Sequence, residues 1–272
     1  MKKIENIKNP NFLKKLFVKL CRIIGYEVID QSNLHLPTLN KIANENLSIL
    51  GEKNISIPLG ETKITRSVKS LDIIIKTCTS VNLVTQNKKR IFEKDKSEYT
   101  FRTVNSLINS AHHLKKRFEK LTIKFTILDV NSPETHIEKM LTKFNKEGFE
   151  VDHFPVKIDK NFTDNMSTTM ASIKHSFNLA KKCKDLIYFV EDDYIHKNEA
   201  LTEMLFAYEK FCSIYQNEIF ILSTDYPYLY KKMNSSNILI GENTHWRTVK
   251  ESLLTFMTSK KMVEKYFDKL ID

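Results

Sequence analysis

Between residues 70 and 271 the chain alternates two hydrophobic patterns: short unbroken apolar runs, and longer stretches in which apolar residues return every third or fourth position. The runs have the length and β-branched content of buried strands, and the periodic stretches have the spacing of amphipathic helices. Residues 70–77, with Leu71, Ile73, Ile74 and Ile75, open this part as a strand, and Cys78, Thr79 and Ser80 place small polar groups at its end. Residues 101–118 then read as a helix whose apolar face is Val104, Leu107, Ile108, Ala111 and Leu114, with Arg102 near its start. A strand over 123–128 runs into Asp129; a helix over 135–146 is stopped by Gly148, and an alternating strand covers 149–154. A helix over 165–183, a strand over 185–190, a helix over 199–215 and strands over 218–223 and 238–241 come next, before a basic terminal helix over 259–271. Strands alternating with helices in this way predict an α/β, Rossmann-like domain with a mostly parallel sheet and helices on both faces.

Upstream, residues 11–24 carry Phe12, Leu13, Leu16, Phe17, Leu20, Ile23 and Ile24 at helical spacing, while Lys14, Lys15, Lys19 and Arg22 fall largely between them. This pattern is a basic amphipathic helix, ended by Gly25. Lysines interrupt every apolar run, so the segment is neither a signal peptide nor a membrane span. Two placements suit it: on an anionic membrane surface with basic residues at the headgroups, or packed on the main domain with a solvated basic edge. Residues 29–65 are punctuated by Asn, Pro and Gly, with one short helical pattern over 39–50, and read as a connector. The expected division is an N-terminal helix and connector, 1–67, and an α/β domain, 68–272.

Candidate chemistry concentrates where the strand over 185–190 ends, on Glu191, Asp192 and Asp193. Adjacent carboxylates repel and lose hydration when partly buried, so the cluster asks for a cation, and a hard divalent ion with oxygen ligands is the natural candidate. The competing explanation is that Asp192 or Asp193 caps the following helix, which needs one acid rather than three. Asp129 and Asp225 are further acids at strand ends, where open α/β sheets collect ligands, although Asp129 also suits an ordinary helix-start turn. Thr79 and Ser80 would face a ligand by the same rule. Arg102 suits either a phosphate near a helix N-terminus or a solvated surface. Residues 242–248 gather Glu242, His245, Arg247 and the chain's only tryptophan, Trp246; a packed indole beside an incidental histidine is the plainer explanation of that cluster.

A formal net charge of +10 brings in phosphate-rich or anionic-membrane partners without choosing between them. The length of 272 residues suits one large α/β domain with an appendage. Four cysteines without CxxC spacing indicate neither a zinc knuckle nor a disulfide framework, and a reducing compartment is the default. Five glycines leave no room for a dinucleotide fingerprint or a Walker loop.

From about residue 70 to the C-terminus, the order of parts resembles the GT-A class of nucleotide-sugar glycosyltransferases. The likeness rests on a first strand with polar residues at its end, a helix with Arg102 near its start, Leu128 and Asp129 at the second strand end, and Tyr188, Phe189 and Val190 leading into Glu191-Asp192-Asp193. That last run resembles the class's DxD-type metal motif in an ExD form. The resemblance implies that Asp129 touches the nucleoside, that Glu191 and Asp193 hold Mn2+ or Mg2+ with Asp193 leading, and that Asp192 leans toward the sugar or ribose. It also offers His245 as a C-terminal metal ligand. Thr79, Ser80, Arg102 and Arg247 would complete the donor site, and Asp225 or Glu251 would be the base that an inverting reaction needs.

The expected protein is a metal-dependent glycosyltransferase that moves a sugar from a nucleotide-diphosphate donor to a glycan or glycolipid acceptor, in the cytoplasm or peripherally at the inner membrane. A nucleotidyltransferase is an alternative, but it usually carries a glycine-rich basic loop near its first strand, and residues 69–85 have none. A non-catalytic nucleic-acid-binding protein would show a basic stripe with exposed aromatics, whereas these lysines are dispersed, so no nucleic-acid partner is expected.

Overall fold

The computed structural model describes residues 12–26, 62–80, 94–156, 165–230 and 236–271, and the helical pattern expected over 39–50 lies outside them. The chain divides into two compact units, Met1–Thr62 and Lys63–Asp272. In the first, α1 spans Phe12–Ile23, and Gly25 follows it at a φ of 86°, a left-handed conformation that a side chain would oppose. No helix among the described residues is long and apolar enough to cross a membrane.

The second unit contains β1 (Ser70–Thr77), α2 (Lys96–Arg117), β2 (Thr122–Asp129), α3 (Glu134–Lys146), β3 (Glu150–Pro155), α4 (Asn165–Ala180), β4 (Leu186–Glu191), α5 (Ala200–Tyr215), β5 (Ile238–Ile240), β6 (His245–Arg247), β7 (Phe256–Ser259), α6 (Lys260–Lys265) and α7 (Phe267–Ile271). Five strands form one sheet in the order β3-β2-β1-β4-β7. All neighbours run parallel except β7, which closes the edge antiparallel to β4. The fold is α/β, with a mostly parallel sheet flanked by helices.

Side chains alternate across this sheet with the two-residue period of a strand. Leu71, Ile73 and Ile75 of β1 and Tyr188 and Val190 of β4 pack with α2, α3 and α5, whereas Ile74, Ile187 and Phe189 pack with α4, α6 and α7. Both faces are covered, and for that reason β1 and β4 are unbroken apolar runs in the sequence. Most of β3, an edge strand, is exposed, in keeping with its alternating composition. At the amino ends of the strands Arg66 ties the sheet together: its guanidinium donates to both oxygens of Asp185, at 2.5 and 3.2 Å, and to Glu218 at 2.8 Å.

Local structure departs from the sequence reading in two places and adds to it in a third. Residues 218–223 do not form a strand; Ile221 makes a single antiparallel bridge to Met257 before the chain leaves the edge. The terminal helix expected over 259–271 is broken in two: β7 ends at Ser259, whose hydroxyl caps α6 by accepting from the Met262 N–H, and the chain then starts again as α7. Residues 245–247 pair with 238–240 as a small antiparallel ribbon, which strands of three residues are too short to announce by periodicity.

Candidate functional site

In the sheet order the chain moves outward from β1 to β2 and β3, then returns to β4 on the opposite side of β1. The crevice at the carboxyl ends of β1 and β4 is therefore the topological switch point, the place where open α/β sheets receive ligands. Thr77 to Ser80, the turn after Asp129, and Glu191 to Tyr194 all lie at these ends.

Strand alternation separates the three acids. Glu191 sits in register with Lys76 on β1, and the Lys76 ammonium lies 3.7 Å from its carboxylate. Burial pushes Lys76 below its ordinary pKa, and Glu191, Asp192 and Asp193 work against that. Asp192, one residue on, is buried and points to α2: Oδ1 lies 3.2 Å from Lys96 Nζ, while Oδ2 accepts from the Cys78 N–H at 3.1 Å and the Thr100 hydroxyl at 3.0 Å. Asp193 is exposed. Two of the three carboxylates thus have a lysine as counter-charge, a role that sequence reasoning gave to a metal. Lys76 and Lys96 were missed because each meets its acid only after folding.

Around the second strand end, Asp129 is buried and its carboxylate holds the turn: Oδ1 accepts from the Thr77 hydroxyl at 2.8 Å and Oδ2 from the Ser132 N–H at 2.9 Å. Asn131 takes a left-handed φ of 62° within that turn. The Thr79 N–H donates to the Ser132 hydroxyl at 2.9 Å, and its own hydroxyl meets His136 Nδ1 at 2.9 Å. His136, on the first turn of α3, was not singled out from the sequence. Ser80 is exposed beside these groups. Arg102 lies in the second turn of α2, because the helix starts at Lys96 rather than near 101; it is exposed and pairs with Glu98 at 2.8 Å. The first turn carries Lys96 instead, held there by Asp192 together with Thr100.

The cluster in residues 242–248 is built around an acid that sequence reasoning overlooked, Glu203 on α5. Its carboxylate accepts from the Glu242 and Asn243 N–H groups, the Thr244 hydroxyl and the Trp246 indole N–H, at 2.9–3.1 Å. Burial opposes the charged form of Glu203, but these donors outweigh it and hold the carboxyl below its ordinary pKa. Gly241 is required by close approach, since a Cβ there would lie 2.0 Å from Glu203 Oε1 and 2.5 Å from the indole nitrogen. Glu242 pairs with Arg117 at the end of α2, and Trp246 packs against the core.

Arg247 donates to Asp225 at 2.6 Å and lies over the Tyr230 ring at 4.4 Å. Hydrogen bonds from Arg247 and then Tyr230 hold the Asp225 carboxyl below its ordinary pKa. This pair joins the β4 end through its neighbours, because the Tyr194 and Tyr226 hydroxyls meet at 2.8 Å. Glu251 is exposed before β7, and His245 is exposed on β6. The Tyr188 hydroxyl and His196 Nε2 meet at 2.8 Å inside the protein, and burial pushes the imidazole down to about 4.

Among the described residues, no group of three or more His, Cys, Asp or Glu is placed to hold a metal ion. A resident, all-protein site for Mn2+ or Mg2+ does not fit a strand end at which lysines already pair Glu191 and Asp192. An ion that arrives with phosphates needs only one or two carboxylates from the protein. Compared with the models of known protein families the chain matches none, and no curated protein matches it.

Proposed function

We propose that this chain is a glycosyltransferase of the GT-A kind, taking a nucleotide-diphosphate sugar at the carboxyl ends of β1, β2 and β4 and passing the sugar to a glycan or glycolipid hydroxyl. The observation that carries this reading is the position of the acids: Asp193 lies exposed at the switch point of the sheet, beside the small polar residues that end β1. Asp129 holds the neighbouring turn with both of its oxygens.

Transfer builds negative charge on the departing diphosphate. Lys96, on the first turn of α2, supplies a cation where the helix dipole is also positive, and Lys76 adds a second within the strand end. A divalent ion carried in by the donor would be held by Asp193 with Glu191 and would act there as a Lewis acid. Asp192 keeps this frame rigid rather than reaching for sugar, since each of its oxygens is already engaged. Asp225 stays ionised under the influence of Arg247, which makes it a weak base; Glu251 is the other carboxylate offered to an acceptor hydroxyl. A diphosphate oxygen would have to compete with Asp225 for Arg247.

Calorimetric titration with UDP, GDP, CDP and dTDP, each with Mn2+ and with a chelator, tests the reading. The expected result is saturable binding of one diphosphate, strengthened by Mn2+. Binding of none of the four in either condition would overturn it.

A further inference from the structure

The helix α1 carries an apolar face that is exposed among the described residues. Projected at 100° per residue, Phe12, Leu13, Leu16, Phe17, Leu20, Ile23 and Ile24 fall on one side, and Lys14, Lys15, Lys19 and Arg22 on the other. On the apolar side Leu16 is 49% exposed, Phe17 61%, Leu20 55%, Ile23 74% and Ile24 66%. A helix whose apolar stripe met the core of its own unit would show these residues buried. The helix spans 12 residues, well short of a bilayer-crossing length.

We propose that α1 lies in the plane of an anionic lipid bilayer, its Leu16, Phe17, Leu20, Ile23 and Ile24 face among the acyl chains. The occupant is set by charge. Every charged residue within Phe12–Ile23 is a cation, so the polar side matches phosphate headgroups along its whole length. A second copy of the helix would bring like charges together with no acid on either side to pair them. An acidic lipid surface meets both halves of the helix at once, the apolar stripe by burial and the cations by attraction. This inference stands on α1 alone and does not depend on the glycosyltransferase reading.

The test is co-sedimentation of the full chain with vesicles, one set of phosphatidylcholine alone and one containing about a third phosphatidylglycerol. The wild type is expected to pellet at least about tenfold more with the anionic vesicles, and to be released by high salt. Phe17→Ser combined with Leu20→Ser removes binding to both vesicle types, while Lys14, Lys15 and Lys19→Gln together abolish the preference for anionic lipid. Unchanged Trp246 emission in each variant shows that the α/β unit is still folded. Equal recovery from both vesicle types, or pelleting of the serine variant like the wild type, overturns the proposal. So does a dimer in light scattering that the serine substitutions dissociate, because the face would then belong to a second copy of the chain.

Discussion

At the end of β4 three carboxylates stand in sequence and receive three environments: Glu191 faces Lys76, Asp192 is buried against Lys96 and Thr100, and Asp193 is exposed. In the β5–β6 ribbon a similar density of polar groups is turned inward. Thr244 and Trp246 are bound to Glu203, Glu242 to Arg117 and Arg247 to Asp225, with His245 exposed. The difference comes from position in the fold. A parallel strand that ends at a switch point delivers its last side chains to an open crevice, whereas a two-stranded ribbon lacks a core of its own and must be fastened to its neighbour. Groups that look alike in sequence therefore fasten the ribbon to α5 in one region, and in the other brace the strand end through Asp192 while Asp193 stays exposed.

The largest effect expected from breaking this arrangement is at Asp192. Asp192→Ala leaves a partly buried ammonium, a hydroxyl and an N–H without their partner, and should cost about 3 kcal/mol in chemical denaturation. A loss under about 0.5 kcal/mol would mean that the carboxylate does not brace the strand end.

Acid should then separate the two regions. The folded state holds His196 neutral down to about 4 from an ordinary 6.5, so the unfolded chain takes up that proton first. Its contribution is complete above pH 6.5 and is lost as the pH falls toward 4, up to about 3 kcal/mol, and His196→Gln should flatten that slope. Glu203 has a folded pKa below its ordinary 4.5, so its contribution is present above 4.5 and disappears as the pH falls through the lower folded value. Trp246 emission should stay constant through the histidine window as long as the chain remains folded, and shift only at the more acidic end.

Detaching the ribbon is expected to cost less. Glu203→Ala removes the acceptor of four donors that can partly turn to water, and should cost about 2–3 kcal/mol. Gly241→Ala drives a methyl into the same carboxylate and indole, for about 1–3 kcal/mol. Because Trp246 is the only tryptophan, a red shift of emission at native conditions reports the ribbon directly. Unaltered emission in both variants would contradict the fastening role.

Much of the sheet was legible because it is buried on both faces: the apolar runs of β1, β2 and β4 declare themselves by composition, and α2, α3 and α5 by their 3.6-residue repeat. The segment around Ile221 misled because its apolar residues serve the sheet edge through one bridge only. The strand ends were legible as acids but not as pairs. Lys76 looks like an interruption of an apolar run, Lys96 like loop charge, and Glu203 like a surface helix residue; their partners lie 115, 96 and 39–43 residues away, distances at which no local pattern links them. Trp246 drew attention as a rare residue in a polar cluster, and its indole proves to be part of the packing.

The most direct measurement is calorimetry of the nucleoside diphosphate selected from the panel, with and without Mn2+, on the wild type and on Asp193→Asn. This substitution keeps the shape of an exposed side chain, so the unfolding free energy should change by less than about 0.5 kcal/mol. The account predicts that the strengthening by Mn2+ seen in the wild type is lost by about tenfold or more in Asp193→Asn, with the fold intact. Undiminished Mn2+-dependent binding in that variant would contradict it.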